Sequence, residues 1–452
     1  MEAAFPLTTS FHDTARKLHI HHLAPEILGD IFFHCVPTSS SLPAVVSFND
    51  APLLLLQVCR YWRQIAWRTP YLWTSLNLDQ ALIRRPSNTF QMWLDNAGSL
   101  LLKVHLPFKS HIYIDKTEAE AVMELLLDNF DRLLELSGSL MPWFAKNLLR
   151  RNLPIQAPFL RRLDVGGWDK LSVPLDLERL RRSMVVPQLQ ICNLNSLRFQ
   201  LSLLCLDPTR LRELNGLWVI SVAEFESMEI LSSFTSLQSL NIYLHIPTEG
   251  TVLKIPPRIS IPSLRCLKIG TYSGYDPELF LGALDVHFIE HLELLSSAIG
   301  ESPIGPLLDS LTNGNIPPLK SLALIGYNVV ASECIPWLSR FTQLQTLIID
   351  RGMVDAGVLM MLTYNDVTSP DLQICPCLAT MHFKHVKLPL RAVQGLVASR
   401  VPGGDAGGCL RRVTFEDCEG LEENHRAAFS KIQDISGGLI QIEFISGKVC
   451  SY

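Results

Sequence analysis

Apolar residues along the C-terminal two thirds of the chain recur in a six-residue phrase, Leu-x-x-Leu-x-Ile or a close variant. Copies begin at Leu160, Leu189, Leu211, Leu237, Leu264, Ile289, Leu319, Leu344, Leu378, Leu410 and Leu439. The gaps between them are 29, 22, 26, 27, 25, 30, 25, 34, 32 and 29 residues, about 28 on average. Strong copies start at Leu237, Leu264, Leu319 and Leu344, and weaker ones at Leu189, Leu378 and Leu410. In the Leu211 copy, Gly216 falls where the last apolar residue should be. A phrase of this length predicts a short strand. Its fourth and sixth residues share one face, and its third, fifth and seventh share the other.

Between phrases the apolar spacing changes to three and four residues, which predicts helices. Phe225, Met228, Ile230, Leu231 and Phe234 follow Ser221 and Glu224, a capping-box pair. Asp276-Pro277-Glu278 opens a second helix carrying Leu279, Phe280, Ala283 and Leu284. Leu307, Leu308 and Leu311 predict a third, and Val393, Leu396 and Val397 a fourth that ends before a Gly403–Gly408 loop. A strand and a helix repeated at this period resemble leucine-rich repeats. The fold expected is therefore α/β, a curved solenoid whose repeats each need a stacked neighbour to bury their apolar side. Such repeats usually carry Asn or Cys eight residues after the first Leu. Only Cys418 fits, so irregular turns are expected after the strands.

A different pattern opens the chain. Apolar residues at 23, 27, 28, 31, 32 and 35 form one face of a helix begun at Pro25. After a polar stretch from Val36 to Asn49, Asp50 stands as N-cap for a second helix. Its apolar face is Leu54, Leu55, Val58, Cys59, Trp62, Ile65 and Ala66, and Thr69-Pro70 stops it. The order Leu-x-Pro-Glu-Ile-Leu … Val-Cys-Arg-x-Trp-Arg-x-Ile-Ala … Leu-Trp resembles the F-box over residues 23–78, with a spacer longer than the minimal pattern. That resemblance implies docking on the Skp-type adaptor of a cullin–RING ubiquitin ligase through Leu23, Pro25, Glu26, Ile27, Ile31, Val58, Cys59 and Trp62. With the repeats it resembles the F-box/leucine-rich-repeat class. A module of about 55 residues cannot hide so many apolar groups within itself, so part of that surface must meet something else.

The expected organisation is a leader over 1–22, an F-box-like helical module over 23–80, irregular first repeats and a joint over 81–156, and the solenoid over 157–452. Trp73–Leu78, at the end of the second stretch, and Leu101–Leu106, in the third, fit the phrase at a spacing of 28 residues, which leaves open a solenoid that begins at the F-box itself, and Arg132–Leu136 is a poor copy. Glu118–Leu136 has helix-compatible spacing, and Pro142, Pro154 and Pro158 punctuate the segment leading into the solenoid.

Composition narrows the function. The chain has 452 residues, 48% hydrophobic and 18% charged, enough for a large core. A net charge of −5 offers no basic field for nucleic acid. The eleven cysteines are odd in number and lack Cys-x-x-Cys pairs, which suits reduced thiols in the cytoplasm or nucleus. No signal peptide and no membrane span is expected. Motifs for acyl transfer, nucleotide phosphates and metalloprotease zinc are absent, so no enzyme activity, cofactor or catalytic residue is expected. Cys375 and Cys377 with His382 and His385 invite a zinc reading, but strand alternation sends the two histidines to opposite sides. His287 and His291 have helical spacing, yet His291 lies in a strand phrase.

Two functional classes remain. One is a non-enzymatic substrate receptor of a cullin-type ligase, holding an unidentified protein target on the solenoid. The other is an intracellular leucine-rich-repeat scaffold whose F-box-like hairpin only caps the first repeat. Tyr243, Leu295, Ile325 and Ile348 fall on the strand face that should be wet. Arg162 and Asp164 flank them early, and His382, Lys384, Arg412 and Glu416 late. An apolar centre with a polar rim is a common interface layout. Either a target or another part of the chain must cover it.

Overall fold

The computed structural model describes residues 20–37, 46–78, 86–106, 116–139, 155–166, 184–193, 205–219, 227–245, 258–272, 278–285, 287–297, 304–305, 308, 317–363, 374–400, 409–419 and 423–445. The fold is mixed α/β. Its main parallel sheet has fourteen strands in chain order. They are β1 (Ser75–Asn77), β2 (Leu102–Leu106), β3 (Leu133–Ser139), β4 (Arg162–Gly166), β5 (Ile191–Asn193), β6 (Glu213–Val219), β7 (Ser239–Leu244), β8 (Cys266–Thr271), β9 (His291–Ser296), β10 (Ser321–Ile325), β11 (Thr346–Asp350), β12 (Thr380–Lys384), β13 (Arg412–Glu416) and β14 (Gln441–Ile445). Two compact units divide the chain, Met1–Ser137 and Gly138–Tyr452.

In the N-terminal unit, Pro25 occupies the first turn of α1 (Pro25–His34), where its missing N–H costs nothing. Leu28 and Phe32 are fully buried beneath it. The second helix is not continuous. It breaks into α2 (Leu55–Val58) and α3 (Arg60–Trp67) because Cys59 is extended (φ −160°, ψ 170°) and caps α3, its sulfur accepting from the Trp62 N–H at 3.4 Å. Asp50 is not a side-chain cap; its carbonyl accepts from Leu54 N–H at 2.8 Å. Pro70 ends the helical run by starting a 3-10 turn, Pro70–Trp73. There Trp73 stacks on Trp67 (5.0 Å), meets Trp93 of α4 (Pro86–Ala97) edge-on, and donates its indole N–H to Ala66 O at 2.9 Å. β1 pairs β2 at Leu76↔Val104, the 28-residue spacing of their phrases. The helix read over Glu118–Leu136 stops at Asp128: α5 (Lys116–Asp128) gives way to a 3-10 turn and to β3.

In the C-terminal unit every strand from β4 to β14 starts two residues after the first residue of a phrase. Each register equals a phrase gap: Arg162↔Ile191, Ile191↔Glu213, Glu213↔Ser239, Ser239↔Cys266, Cys266↔His291, His291↔Ser321, Ser321↔Thr346, Thr346↔Thr380, Thr380↔Arg412 and Arg412↔Gln441. From the Leu237 phrase to the Leu410 phrase the fourth and sixth positions are buried, as at Leu240/Ile242, Leu292/Leu294 and Leu347/Ile349. The Leu211 phrase is rescued by a bulge. Leu240 pairs Leu214 but Ile242 pairs Leu217, so Asn215 and Gly216 together face Asn241, and Gly216 takes φ 75° to make room. The last phrase also shifts: Leu439 is exposed and Ile440 is buried instead.

Helices α6 (Glu278–Ala283) and α9 (Leu390–Ser399) lie where their apolar spacing puts them, and α7 (Ala331–Leu338), α8 (Ala356–Leu362) and α10 (Glu423–Ile435) fill later intervals. The segment around Met228 is a 3-10 helix, Ser227–Ser233, in place of the α-helix expected there. Ser221, Glu224, Phe225, Asp276, Pro277, Leu307, Leu311 and Gly403–Gly408 lie outside the described residues. The turns after the later strands are regular, contrary to expectation. Gly326, Arg351, His385 and Asp417 each follow a strand at the same offset, and each has a left-handed backbone. Their N–H groups donate to Asp350 O, Lys384 O, Glu416 O and Ile445 O in the next repeat, at 2.7–3.1 Å. Arg400 is 2% exposed at the end of α9. It donates to three carbonyls, Leu362 O at 2.5 Å, Ile374 O at 2.6 Å and Cys375 O at 2.8 Å, and so ties α8 and the start of the next phrase together.

Candidate functional sites

The residues that the F-box resemblance marks for docking divide by face. α1 turns Leu28, Gly29 and Phe32 inward, while Ile27 stays 51% exposed and Ile31 37%. Val58, at the end of α2, is 52% exposed. Pro25 and Glu26 are exposed, and Leu23, Cys59 and Trp62 half-buried. Trp62 packs its ring 4.9 Å from Phe32, so this side chain belongs partly to the core. Its indole nitrogen is buried without a hydrogen-bond partner among the described residues. Exposed Phe33 and Leu54 extend the apolar surface; the sequence placed Leu54 on the apolar face of the second helix but named neither as a docking residue. A cleft of about 600 Å³ opens between α1 and α3, lined among others by Pro25, Glu26, Asp30, Tyr61, Arg68 and Tyr71. Tyr71 donates its hydroxyl to Asp30 at 3.2 Å, and burial together with that carboxylate pushes the phenol above its ordinary value.

On the C-terminal unit the outward strand positions line up in rows through the registers. The seventh-position row runs Trp218–Tyr243–Gly270–Leu295–Ile325–Asp350–Lys384–Glu416. Tyr243, Leu295, Ile325 and Ile348 are all half-buried, part of each side chain remaining accessible. The first three share this row, and Ile348 sits in the fifth-position row beside Ala323. Two aromatics join them that the phrase did not assign. The bulge at Gly216 rotates Trp218 outward, where it stacks on Tyr243 at 4.9 Å, and Tyr272 lies 5.1 Å from Trp218. Gly216 was the available signal. Tyr243 lies flat because Gly270 beside it has no Cβ; one built there would overlap the ring.

Polar groups flank the apolar centre. Early in the sheet, Asn193 donates to Asp164 at 3.0 Å and Asn215 to Asn193 at 2.7 Å, and Arg162 lies 3.6 Å from Asp164. Late in the sheet, Glu416 accepts from Lys384 at 2.8 Å and lies 3.3 Å from His382; Arg412 meets Glu443 at 2.7 Å. The Lys384 hydrogen bond holds the Glu416 carboxyl below its ordinary value, and Glu416 raises the Lys384 ammonium. His385 leaves the strand at its left-handed turn (φ 49°), so alternation does not govern it. Its ring sits 3.0 Å from Asp350 and 3.8 Å from Asp417.

No group of three or more His, Cys, Asp or Glu among the described residues is arranged to hold a metal ion. Cys375 is buried and its thiol donates to Leu338 O, while Cys377 is exposed. Burial pushes the thiols of Cys192, Cys334 and Cys375 up to about 12, so none of the three is a thiolate at neutral pH. His287 lies in a turn against Asp285, and His291 starts β9 with its side chain exposed, so the two do not share a helix face. No helix of the described residues is long and apolar enough to cross a membrane. No family model matches the chain, and no curated protein does either.

Proposed function

We propose that this chain is a non-enzymatic substrate receptor of a cullin–RING ubiquitin ligase: a leucine-rich-repeat protein whose F-box-like helices dock on a Skp-type adaptor while its outward strand face holds a protein target. The observation that carries the docking half is the exposure of Ile27, Ile31 and Val58 on the two helices that match the F-box motif, above a core that already contains Leu28, Phe32, Ile65 and Ala66. Apolar side chains kept out of an adjacent core are what a partner surface requires. The target half is supported by the half-buried row of Tyr243, Leu295 and Ile325 with Ile348 beside it, flanked by ion pairs. A scaffold role is the second reading. It is favoured by the Trp67–Trp73–Trp93 stack, which ties the hairpin to the next helix of its own unit.

Capture of purified Skp-type adaptor by the full chain separates the two. Ile27→Asp combined with Val58→Asp puts charges on exposed positions, which folding tolerates, and is expected to weaken capture at least ~30-fold. Unchanged capture by the double variant, or no capture by the parent, sinks the ligase reading and leaves the scaffold.

A further inference from the structure

Cys377 and Cys409 each stand immediately before the first leucine of a phrase, Leu378 and Leu410. The register Thr380↔Arg412 stacks these two phrases, and one residue earlier the Arg411 N–H still donates to Ala379 O at 2.8 Å. The two cysteines therefore hold the same place in neighbouring repeats, at the entry of β12 and of β13. We infer that they are a modification site: a peroxide oxidises them to a reversible disulfide that clasps the two strands together.

Spacing and direction both favour this pair. Stacked strands lie ~4.8 Å apart, within the ~4.4–6.8 Å between Cα atoms that a disulfide spans. The Cys409 sulfur lies 2.8 Å from Pro376 O and 3.1 Å from Leu378 O, the carbonyls on either side of Cys377. It is thus already placed against the Cys377 backbone. An earlier pair of repeats shows that side chains at this position reach one another: Arg210, just before Leu211, donates to Gln188, just before Leu189, at 2.7 Å. Other thiols nearby are turned away. Cys375 is buried with its sulfur 3.4 Å from Leu338 O, and Cys418, past the far end of β13, has its sulfur 3.3 Å from Phe383 O.

Accessibility divides the roles. Cys377 is exposed, whereas Cys409 is half-buried and burial holds its thiol above the ordinary value, so Cys377 meets the oxidant first. As thiolate, the Cys377 sulfur attacks one peroxide oxygen; the O–O bond breaks, the other oxygen leaves as water, and a sulfenic acid remains. The Cys409 sulfur then attacks the Cys377 sulfur. The S–O bond breaks, and the departing hydroxide takes the Cys409 proton as a second water. One hydrogen peroxide is reduced and two thiols are oxidised. A dithiol reverses the bond by exchange, becoming a disulfide itself.

The test treats the full chain with equimolar hydrogen peroxide, alkylates the remaining thiols and maps peptides by mass spectrometry without reduction. A linked Cys377–Cys409 peptide is expected to exceed any other cysteine pair at least ~10-fold and to vanish with dithiothreitol. Cys409→Ser keeps a hydrogen-bond donor for the two carbonyls but cannot complete the bond, so dimedone labelling of Cys377 as sulfenic acid should rise at least ~10-fold over the parent. Should that variant unfold by circular dichroism, the linked peptide in the parent decides alone. The oxidised parent should also unfold at a higher urea concentration than the same chain after dithiothreitol, a difference that Cys377→Ser removes. Absence of the linked peptide, preferential pairing of Cys377 with another cysteine, or its passage to sulfinic acid in the parent overturns the site. Equal dimedone labelling of parent and folded Cys409→Ser does so too. Equal urea midpoints for the oxidised and reduced parent overturn the clasp.

Discussion

Arg351, His385 and Asp417 hold backbone angles that ordinary side chains disfavour, with φ of 55°, 49° and 48°, where Gly326 in the equivalent turn has 80°. Each conformation lets the chain leave its strand while its N–H still reaches the next repeat's carbonyl. Only Gly326 carried a clear signal: aspartate and histidine adopt positive φ more often than most residues but still uncommonly, and arginine more rarely. The turn was therefore illegible at three of four positions, although the phrase that precedes it was plain. Arg351 isolates the cost. Its side chain is exposed and its contact with Asp350, at 3.9 Å, is loose. Arg351→Gly is expected to raise stability by about 1 kcal/mol, read as a higher urea midpoint at unchanged slope, because the left-handed penalty is removed. Gly326→Ala is expected to do the reverse and by more, since a Cβ there would overlap the Ser296 carbonyl as well as strain φ. A midpoint for Arg351→Gly below that of the parent would show that the turn is held by the side chain and not merely tolerated.

Strands were read from the sequence more faithfully than helices, and the reason is physical. Alternation over six residues fixes both the existence of a strand and its face, as Leu322/Leu324 in and Ser321/Ile325 out illustrate. Helical spacing says only that a segment can coil. Hence Leu54–Ala66 looked like one helix until the extended Cys59 divided it, and the segment at Met228 closed as a 3-10 turn. Neighbouring strands also exchange charge, most clearly β12 with β13, where Lys384 meets Glu416. The Glu416 carboxyl is held below its ordinary 4.5 by that hydrogen bond. A depressed carboxyl contributes stability that is present above the unfolded value and is lost as pH falls through the folded one. Glu416→Gln should therefore lower Tm at neutral pH, by no more than the equivalent of about 1 kcal/mol because the pair is half exposed. The gap between variant and parent should close as pH falls below 4.5. A gap that stays constant down to acid pH would mean that the carboxylate charge contributes nothing.

Every register in the C-terminal unit was already written in the spacing of its phrases, from Arg162↔Ile191 to Arg412↔Gln441. What the spacing could not say was how single residues absorb irregularity: the bulge at Gly216 that turns Trp218 outward, or Ile440 replacing Leu439 in the core. On α1, the residues expected to dock, Ile27 and Ile31, are exposed, whereas Leu28 and Phe32, one step along the same helix, are buried, and the spacing of the apolar residues alone does not separate the two pairs. The order of strands has an energetic consequence. Leu294 is fully buried and lies between Ile269 of β8 and Leu324 of β10, so its side chain is packed from both neighbouring strands. Ile442, in the last strand, pairs with Val413 on one side and is only half-buried. In a sheet built by stacking neighbours, a side chain deleted from the middle weakens two interfaces and one deleted from the last strand weakens one. Leu294→Ala is expected to cost about 2–5 kcal/mol, the range for a buried aliphatic truncation, and Ile442→Ala less than half as much. Urea unfolding followed by circular dichroism measures both. Equal losses at the two positions would mean that the last strand is packed as fully as the middle one, and that nearest-neighbour stacking does not set the stability of this unit.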